Sequence, residues 1–301
     1  MVVAGGNQEP PGDRPASEFL GGFGVKLLAV GVRCLFADKD AGSVNSRSYW
    51  RDRGRRSAGE KRAPAAQTVL RQPLLALAAV LALTPSAGAA PEFHELDRLP
   101  THQKVIALTF DGGGDTASGT ASILRTLRRR RVPATFFLAG RWIRLHPALA
   151  RAIGRRYPIG DHTYDHADQL GLSSGQIRAD VRRGAWWIRV VTGRRPRPLF
   201  RFPYGARDAR TVAVVGSMGY VSVRWTIDTW GWMGTSEGQS VGTVVRRVSE
   251  RLEPGAIVLM HVGVARDGSL LDARALPRVI TLIRARGYRF VTLDRFVHPP
   301  R

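Results

Sequence analysis

The sequence predicts an α/β fold built on one parallel sheet curled into a barrel, and two observations carry that reading. From residue 104 onward, seven strand-like apolar runs alternate with six helical patterns. In addition, the chemistry-bearing residues Asp111, His162, Arg201 with Tyr204, Asp228 and His261 each stand at the end of a different run. Alternation of this kind implies βαβ units and parallel strands. In a parallel barrel the C-terminal strand ends converge on one mouth, whereas an open sheet would spread these positions along a row.

The strand-like runs are "VIALTFD" (105–111), "ATFFLAG" (134–140), "YPIGD" (157–161), "LFRFPYG" (199–205), "YVSVRWTID" (220–228), "GAIVLMHVG" (255–263) and "RFVTLDRF" (289–296). They read as continuous apolar stretches, as strands buried on both faces do. Helical patterns fall at 117–131, 142–155, 174–192, 208–218, 240–252 and 275–286. Gly193, Gly219, Pro254 and Gly287 mark helix ends.

Before this region the composition differs. Residues 1–68 hold no sustained period, and "RDRGRRSAGEKR" (51–62) reads as a solvated, unstructured basic extension. Residues 69–90 then carry Arg71, an apolar core from Leu74 to Leu83 and small residues at Ala87, Ala89 and Ala90. That order is the layout of a secretory signal peptide, and the apolar core is too short for a stable membrane span. A signal at this place implies that residues 1–68 are an upstream extension, with Val69 as the functional start and a single folded domain over 91–301.

The full chain holds 46 Lys+Arg against 24 Asp+Glu. Residues 91–301 keep 34 basic against 17 acidic residues, which suits an anionic setting such as an acidic wall polymer. The arginines are dispersed over the helical patterns without an interleaved aromatic motif, so nucleic-acid binding is not expected. The single cysteine is Cys34, so neither an internal disulfide nor a thiolate metal cluster is available.

Five stretches carry the chemistry. In "IALTFDGGGD" (106–115) a strand ends on Asp111 and then meets three glycines. In "GDHTYDH" (160–166) His162 and His166 stand four apart, so on a helical turn both imidazoles would face one metal ion. "FRFPYG" (200–205) sets Arg201, able to grip a carboxylate, beside Phe202 and Tyr204, whose rings suit a sugar subsite. "WTIDTWGW" (225–232) places Asp228 among Trp230 and Trp232, a second candidate groove for carbohydrate, and "IVLMHVG" (257–263) ends its apolar run on His261.

Together these stretches resemble the polysaccharide deacetylase family, the NodB-homology domain of carbohydrate esterase family 4, over about 104–296 and in the family's motif order. The resemblance implies a distorted (β/α)7 barrel in a single catalytic domain, in agreement with the seven runs. It also implies removal of acetyl groups from peptidoglycan, chitin-like glycans or xylan with a divalent metal, zinc foremost. Residue by residue, it makes Asp111 the general base toward water, His162 and His166 the metal ligands, and Arg201 the partner of the base. It assigns the Tyr204 backbone N–H to the oxyanion, and Leu259 and His261 to the last motif, with His261 as general acid.

The family pattern is broken twice. A second acid is expected at 112, as third metal ligand, and another at 231; both positions are glycine. The metal sphere then has three possible completions: waters, recruitment of Asp115 or Asp165, or direct ligation by Asp111. Asp228 becomes the expected partner of His261. The expected protein is a monomeric, secreted or wall-associated, metal-dependent hydrolase of N-acetyl groups on an envelope glycan, peptidoglycan leading. The alternatives are an acetyl-xylan or chitooligosaccharide enzyme, or an inactive wall-glycan binder.

Overall fold

The computed structural model describes residues 95–297. The expected extension (1–68) and signal segment (69–90) lie outside the described residues, as does Cys34. In chain order the elements are β1 (Glu95–Leu96), β2 (Val105–Gly112), α1 (Thr120–Arg130), β3 (Thr135–Leu138), α2 (Gly140–Leu145), α3 (Pro147–Gly154), β4 (Ile159–Asp161) and α4 (Ser174–Thr192). They continue as β5 (Leu199–Phe200), α5 (Ala209–Gly216), β6 (Val221–Val223), β7 (Ile227–Asp228), α6 (Val241–Arg251), β8 (Ile257–His261), α7 (Leu271–Ala285) and β9 (Arg289–Val291).

The strands form one parallel sheet in the order β1-β6-β5-β4-β3-β2-β8-β7, with β9 paired to the start of β2. This is the distorted (β/α)7 barrel that the sequence implies, a curled half-barrel wrapped by helices. The distortion lies in the run 220–228. Its first part, β6, pairs with β5 and β1, while its second part, β7, pairs with β8. Arg224, Trp225 and Thr226 lie between the two short strands. Among the described residues no helix is long and apolar enough to cross a membrane.

The pleat of β2 organises both layers, because successive side chains leave a strand on opposite faces. Ile106, Leu108 and Phe110 join Ile123, Leu127, Phe136 and Trp142 in the core between sheet and helices. Val105 and Ala107 pack with Phe137, Leu199 and Ile257 inside the barrel. Asp111 continues this second row.

Helix boundaries follow local chemistry. A capping box between Ser173 and Gln176 starts α4, and Gly193 ends it in the left-handed conformation. The pattern at 142–155 is two helices, because Pro147 opens α3 directly after α2. Helix α7 begins at Leu271, four residues earlier than its pattern suggests, which puts Asp272 in its first turn.

Candidate active site

Asp111 lies at the C-terminal end of β2, in register with His261 of β8. Arg201 Nη1 donates to Asp111 Oδ1 at 2.7 Å and to Thr109 Oγ1 at 2.9 Å. The guanidinium is fully buried, and its remaining hydrogen bonds go from Nε to the Val223 carbonyl and from Nη2 to the Arg224 carbonyl. Its plane also lies over Phe137, with Cζ 4.1 Å from the ring centre. A buried carboxylate needs such a partner, since an unpaired charge here would cost several kcal/mol.

Arg201 holds the other half of the site as well. Its carbonyl accepts from His162 Nδ1 at 2.8 Å, which fixes the proton on Nδ1 and leaves the Nε2 lone pair free to point inward. His162 Nε2 stands 3.2 Å from His166 Nε2 and 3.6 Å from Asp111 Oδ2. Burial lowers the pKa of both imidazoles, and the proximity of His162 and His261 carries His166 well below the ordinary range. Both rings are therefore neutral near pH 7, the form that ligates metal.

The histidine pair is not helical, contrary to the expectation from its spacing. The segment after β4 is a loop in which Thr163 and His166 take positive φ of 65° and 56°. Thr163 Oγ1 accepts the His166 N–H at 3.1 Å, and the His166 ring turns back to 4.8 Å from that of His162, centre to centre. Two buried acids pin the loop. Asp161 Oδ1 accepts from the Thr163 backbone and Asp161 Oδ2 from Tyr220, while Asp180 Oδ1, on α4, accepts from the backbones of Tyr164 and Asp165. Burial raises the pKa of Asp161 far above the usual carboxylate range. Asp161 stands within the quoted histidine stretch without being singled out there, and Asp180 falls in a helical pattern with no motif.

The geometry fits a divalent cation. Two nitrogens at zinc-ligand distance from one tetrahedral ion stand about 3.3 Å apart, close to the spacing here. The set is a half-site, however: among the described residues no group of three His, Cys, Asp or Glu side chains is arranged to hold a metal. Asp115 is not recruited, since it pairs with Arg141 at 3.0 Å. The anionic group nearest His162 is Asp111.

His261 closes the opposite wall, and its partner is Asp272 rather than the expected Asp228. Its Nδ1 lies 3.6 Å from Asp272 Oδ2, and its backbone N–H donates to the same oxygen at 2.8 Å. Asp228 instead caps its own turn, with Oδ1 accepting the Trp230 N–H at 2.9 Å. Burial alone would lower the pKa of His261, but Asp272, helped by Asp111 and Asp228, outweighs it and the net shift is upward. Burial raises Asp228, which His261 partly offsets.

The expected sugar-binding side chains divide. Trp232 lines the cleft with Asp111, His261 and Leu271, and its ring lies 6.5 Å from that of His261. Trp230 is half exposed but stacks on Arg247 of α6, 3.2 Å from ring centre to Cζ, and does not line this cleft. Phe202, expected to face a sugar, is instead buried edge-on against Phe200 and cannot line a groove. Leu259 is likewise buried, two residues below His261 on the same strand face. Tyr204 is exposed, with its ring 4.7 Å from His166 and its backbone at a positive φ of 59°. Among the described residues, four of the five non-glycine positive-φ positions (Thr163, His166, Tyr204 and Trp230) surround this site, as stored backbone strain does at functional centres.

A buried Asp–Arg pair, two imidazoles and a carboxylate-backed histidine thus gather at one mouth of a parallel barrel. A family model described as Polysaccharide deacetylase matches residues 98–223. A peptidoglycan-N-acetylglucosamine deacetylase of Bacillus cereus is 30% identical over 206 residues, 66% of this chain and 91% of that protein. The peptidoglycan-N-acetylglucosamine deacetylase PgdA of Listeria monocytogenes is 31% identical over 201 residues, but the match spans only 40% of its length. The crystal structure of wild-type BA3943 of Bacillus anthracis, described as a CE4 family pseudoenzyme, matches with a TM-score of 0.61 at 26% identity, covering 68% of this chain and 69% of that one. The chain belongs to the polysaccharide deacetylase family, hydrolases of N-acetyl amide bonds.

Proposed function

We propose that this protein is an exported, metal-dependent deacetylase that removes N-acetyl groups from an envelope glycan, with peptidoglycan as the leading substrate. The observation that carries the reading is the convergence of Asp111, Arg201, His162, His166 and His261 from four separate chain segments on one mouth. Peptidoglycan leads because the Bacillus cereus and Listeria relatives are named as peptidoglycan deacetylases and because the chain is strongly basic. Export rests on residues 69–90 and predicts an N-terminus close to Ala89 or Ala90 in the secreted protein, to be read by N-terminal sequencing; an intact Met1 in the cytoplasm would contradict it.

In this reading Asp111, oriented by Arg201, takes a proton from the attacking water. His162 and His166 would hold a divalent ion, zinc foremost, which would supply polarisation of the acyl carbonyl and a lower barrier to deprotonating water. The Tyr204 backbone N–H assists at the developing oxyanion. His261, whose pKa its carboxylate neighbours raise, delivers a proton to the leaving amine, and Trp232 presents a face to the sugar.

One observation favours a second reading, a wall-glycan binder without turnover: a similar fold is described as a pseudoenzyme, and position 112 here lacks an acid. Acetate release from peptidoglycan, chitooligosaccharides and acetyl-xylan, with zinc added, separates the readings. Release from peptidoglycan above the other two is expected. Release from xylan alone would make the protein an esterase, and release from none, with glycan still bound, would make it a binder.

A further inference from the structure

Gly231 follows Trp230 in the turn after β7, and its φ lies outside the left-handed region, so its backbone does not require glycine. What excludes a side chain is Asp272. A Cβ on Gly231 would overlap Asp272 Oδ1 and stand 2.5 Å from its Cγ and 2.9 Å from its Oδ2. The carboxylate of a residue on α7 thus fills the space that a side chain at 231 would enter.

That carboxylate is fixed on three sides. Its Oδ1 accepts from Thr229 Oγ1 at 2.7 Å, Oδ2 accepts the His261 backbone N–H at 2.8 Å, and Oδ2 also faces His261 Nδ1 at 3.6 Å. Nδ1 is buried and has no hydrogen-bond partner. Buried polar groups are almost always satisfied, and a shift of a few tenths of an ångström would bring this pair into hydrogen-bond range. Asp272 also lines the cleft beside His261 and Trp232.

We propose that Asp272 is the positioning residue of His261: from the first turn of α7 it supplies the carboxylate that orients the imidazole, in place of any group on the turn after β7. The two positions are alternatives, since the space admits one carboxylate. For its kinetic arm this rests on the deacetylase reading, in which His261 is the acid. The other groups facing His261 are Asp111 from β2, Asp228 from β7, and His162 and His166 from the loop after β4.

The test is a cycle of Asp272→Ala, Gly231→Asp and the double variant, with Asp272→Asn as the shape-preserving control. Asp272→Asn is expected to lower kcat about 10²-fold with KM within about twofold, and to move the alkaline limb of the kcat profile to lower pH, because the imidazolium loses an anionic neighbour. Gly231→Asp alone is also expected to impair the enzyme, since it adds a second carboxylate to an occupied space. Combined with Asp272→Ala, the same substitution is expected to restore at least tenfold of kcat and return the limb toward its original pH. A folded double variant no better than Asp272→Ala would overturn the proposal, as would an Asp272→Asn limb that does not move. Should the wild type release no acetate from any glycan, the deacetylase reading fails but the positioning claim does not. The cycle is then read from the His261 imidazole titration by NMR, expected to fall in Asp272→Asn and recover in the double variant. An unmoved titration would overturn it.

Discussion

Gly112, at the end of β2, and Gly231, in the turn after β7, both stand where the family resemblance implies an acid, yet their surroundings differ in kind. A Cβ on Gly112 would meet Leu138 Cδ2 at 2.9 Å, Val262 Cγ2 at 3.1 Å and Trp142 Cδ2 at 3.4 Å, all in the apolar layer between sheet and helices. This follows from the pleat: Asp111 faces the barrel interior, so its neighbour faces away. At Gly231 the space is already held by the Asp272 carboxylate. One lost acid therefore has a replacement from another element, while the other has none and its position has become part of the core. Gly113 explains the remaining gap, because a side chain there would overlap the His166 ring.

The largest expected effect comes from Gly112→Asp. It forces a carboxylate among Leu138, Val262 and Trp142 and should cost about 3 kcal/mol or more, read as a fall in denaturation midpoint, with no gain in zinc affinity. Tighter zinc binding at undiminished stability would break the comparison. Next, Gly113→Ala pushes on the imidazole and should weaken zinc binding about tenfold, roughly 1.4 kcal/mol, by titration calorimetry, while leaving the fold intact. Unchanged affinity would mean that His166 is not held against this backbone.

A pH experiment separates the two walls. His162 and His166 have folded pKa values below the unfolded value of about 6.5. Between those values the unfolded chain binds more protons, so metal-free stability should fall as pH drops below about 6.5, by up to about 1.4 kcal/mol per pH unit for each group. His261, with its pKa raised, acts the opposite way: its contribution is complete below about 6.5 and is lost as pH rises through its folded value. His166→Gln should flatten the acid side alone. The smallest effect separates the two tryptophans. Trp232→Ala should raise KM for a glycan several-fold, about 1 kcal/mol, whereas Trp230→Ala, which removes only a stack on Arg247, should change KM less than twofold.

The strand ends that bear Asp111 and His261, and the run that bears Arg201, were legible because buried parallel strands write long apolar runs and the polar residue ends each one. Less legible was everything that depends on loops or on contacts distant in sequence. The spacing of His162 and His166 suggested a helix, but Thr163 and His166 in the left-handed region achieve the same convergence in a loop, a conformation that no propensity marks for those residue types. Asp272 lies 11 residues beyond His261, hidden as an ordinary first-turn helix acid. Phe202 reads like a groove aromatic from its neighbours, and only the side of the chain on which it falls reveals that it is core.

In the proposed mechanism Asp111 works as the base in a site whose metal the histidine pair would hold. Acetate release from peptidoglycan and zinc affinity, measured side by side on the wild type and Asp111→Asn, test it most directly. The wild type is expected to release acetate and the variant to release none while still binding zinc through His162 and His166; weakened zinc binding in the variant would make Asp111 a ligand as well, and full activity in Asp111→Asn would contradict the mechanism outright.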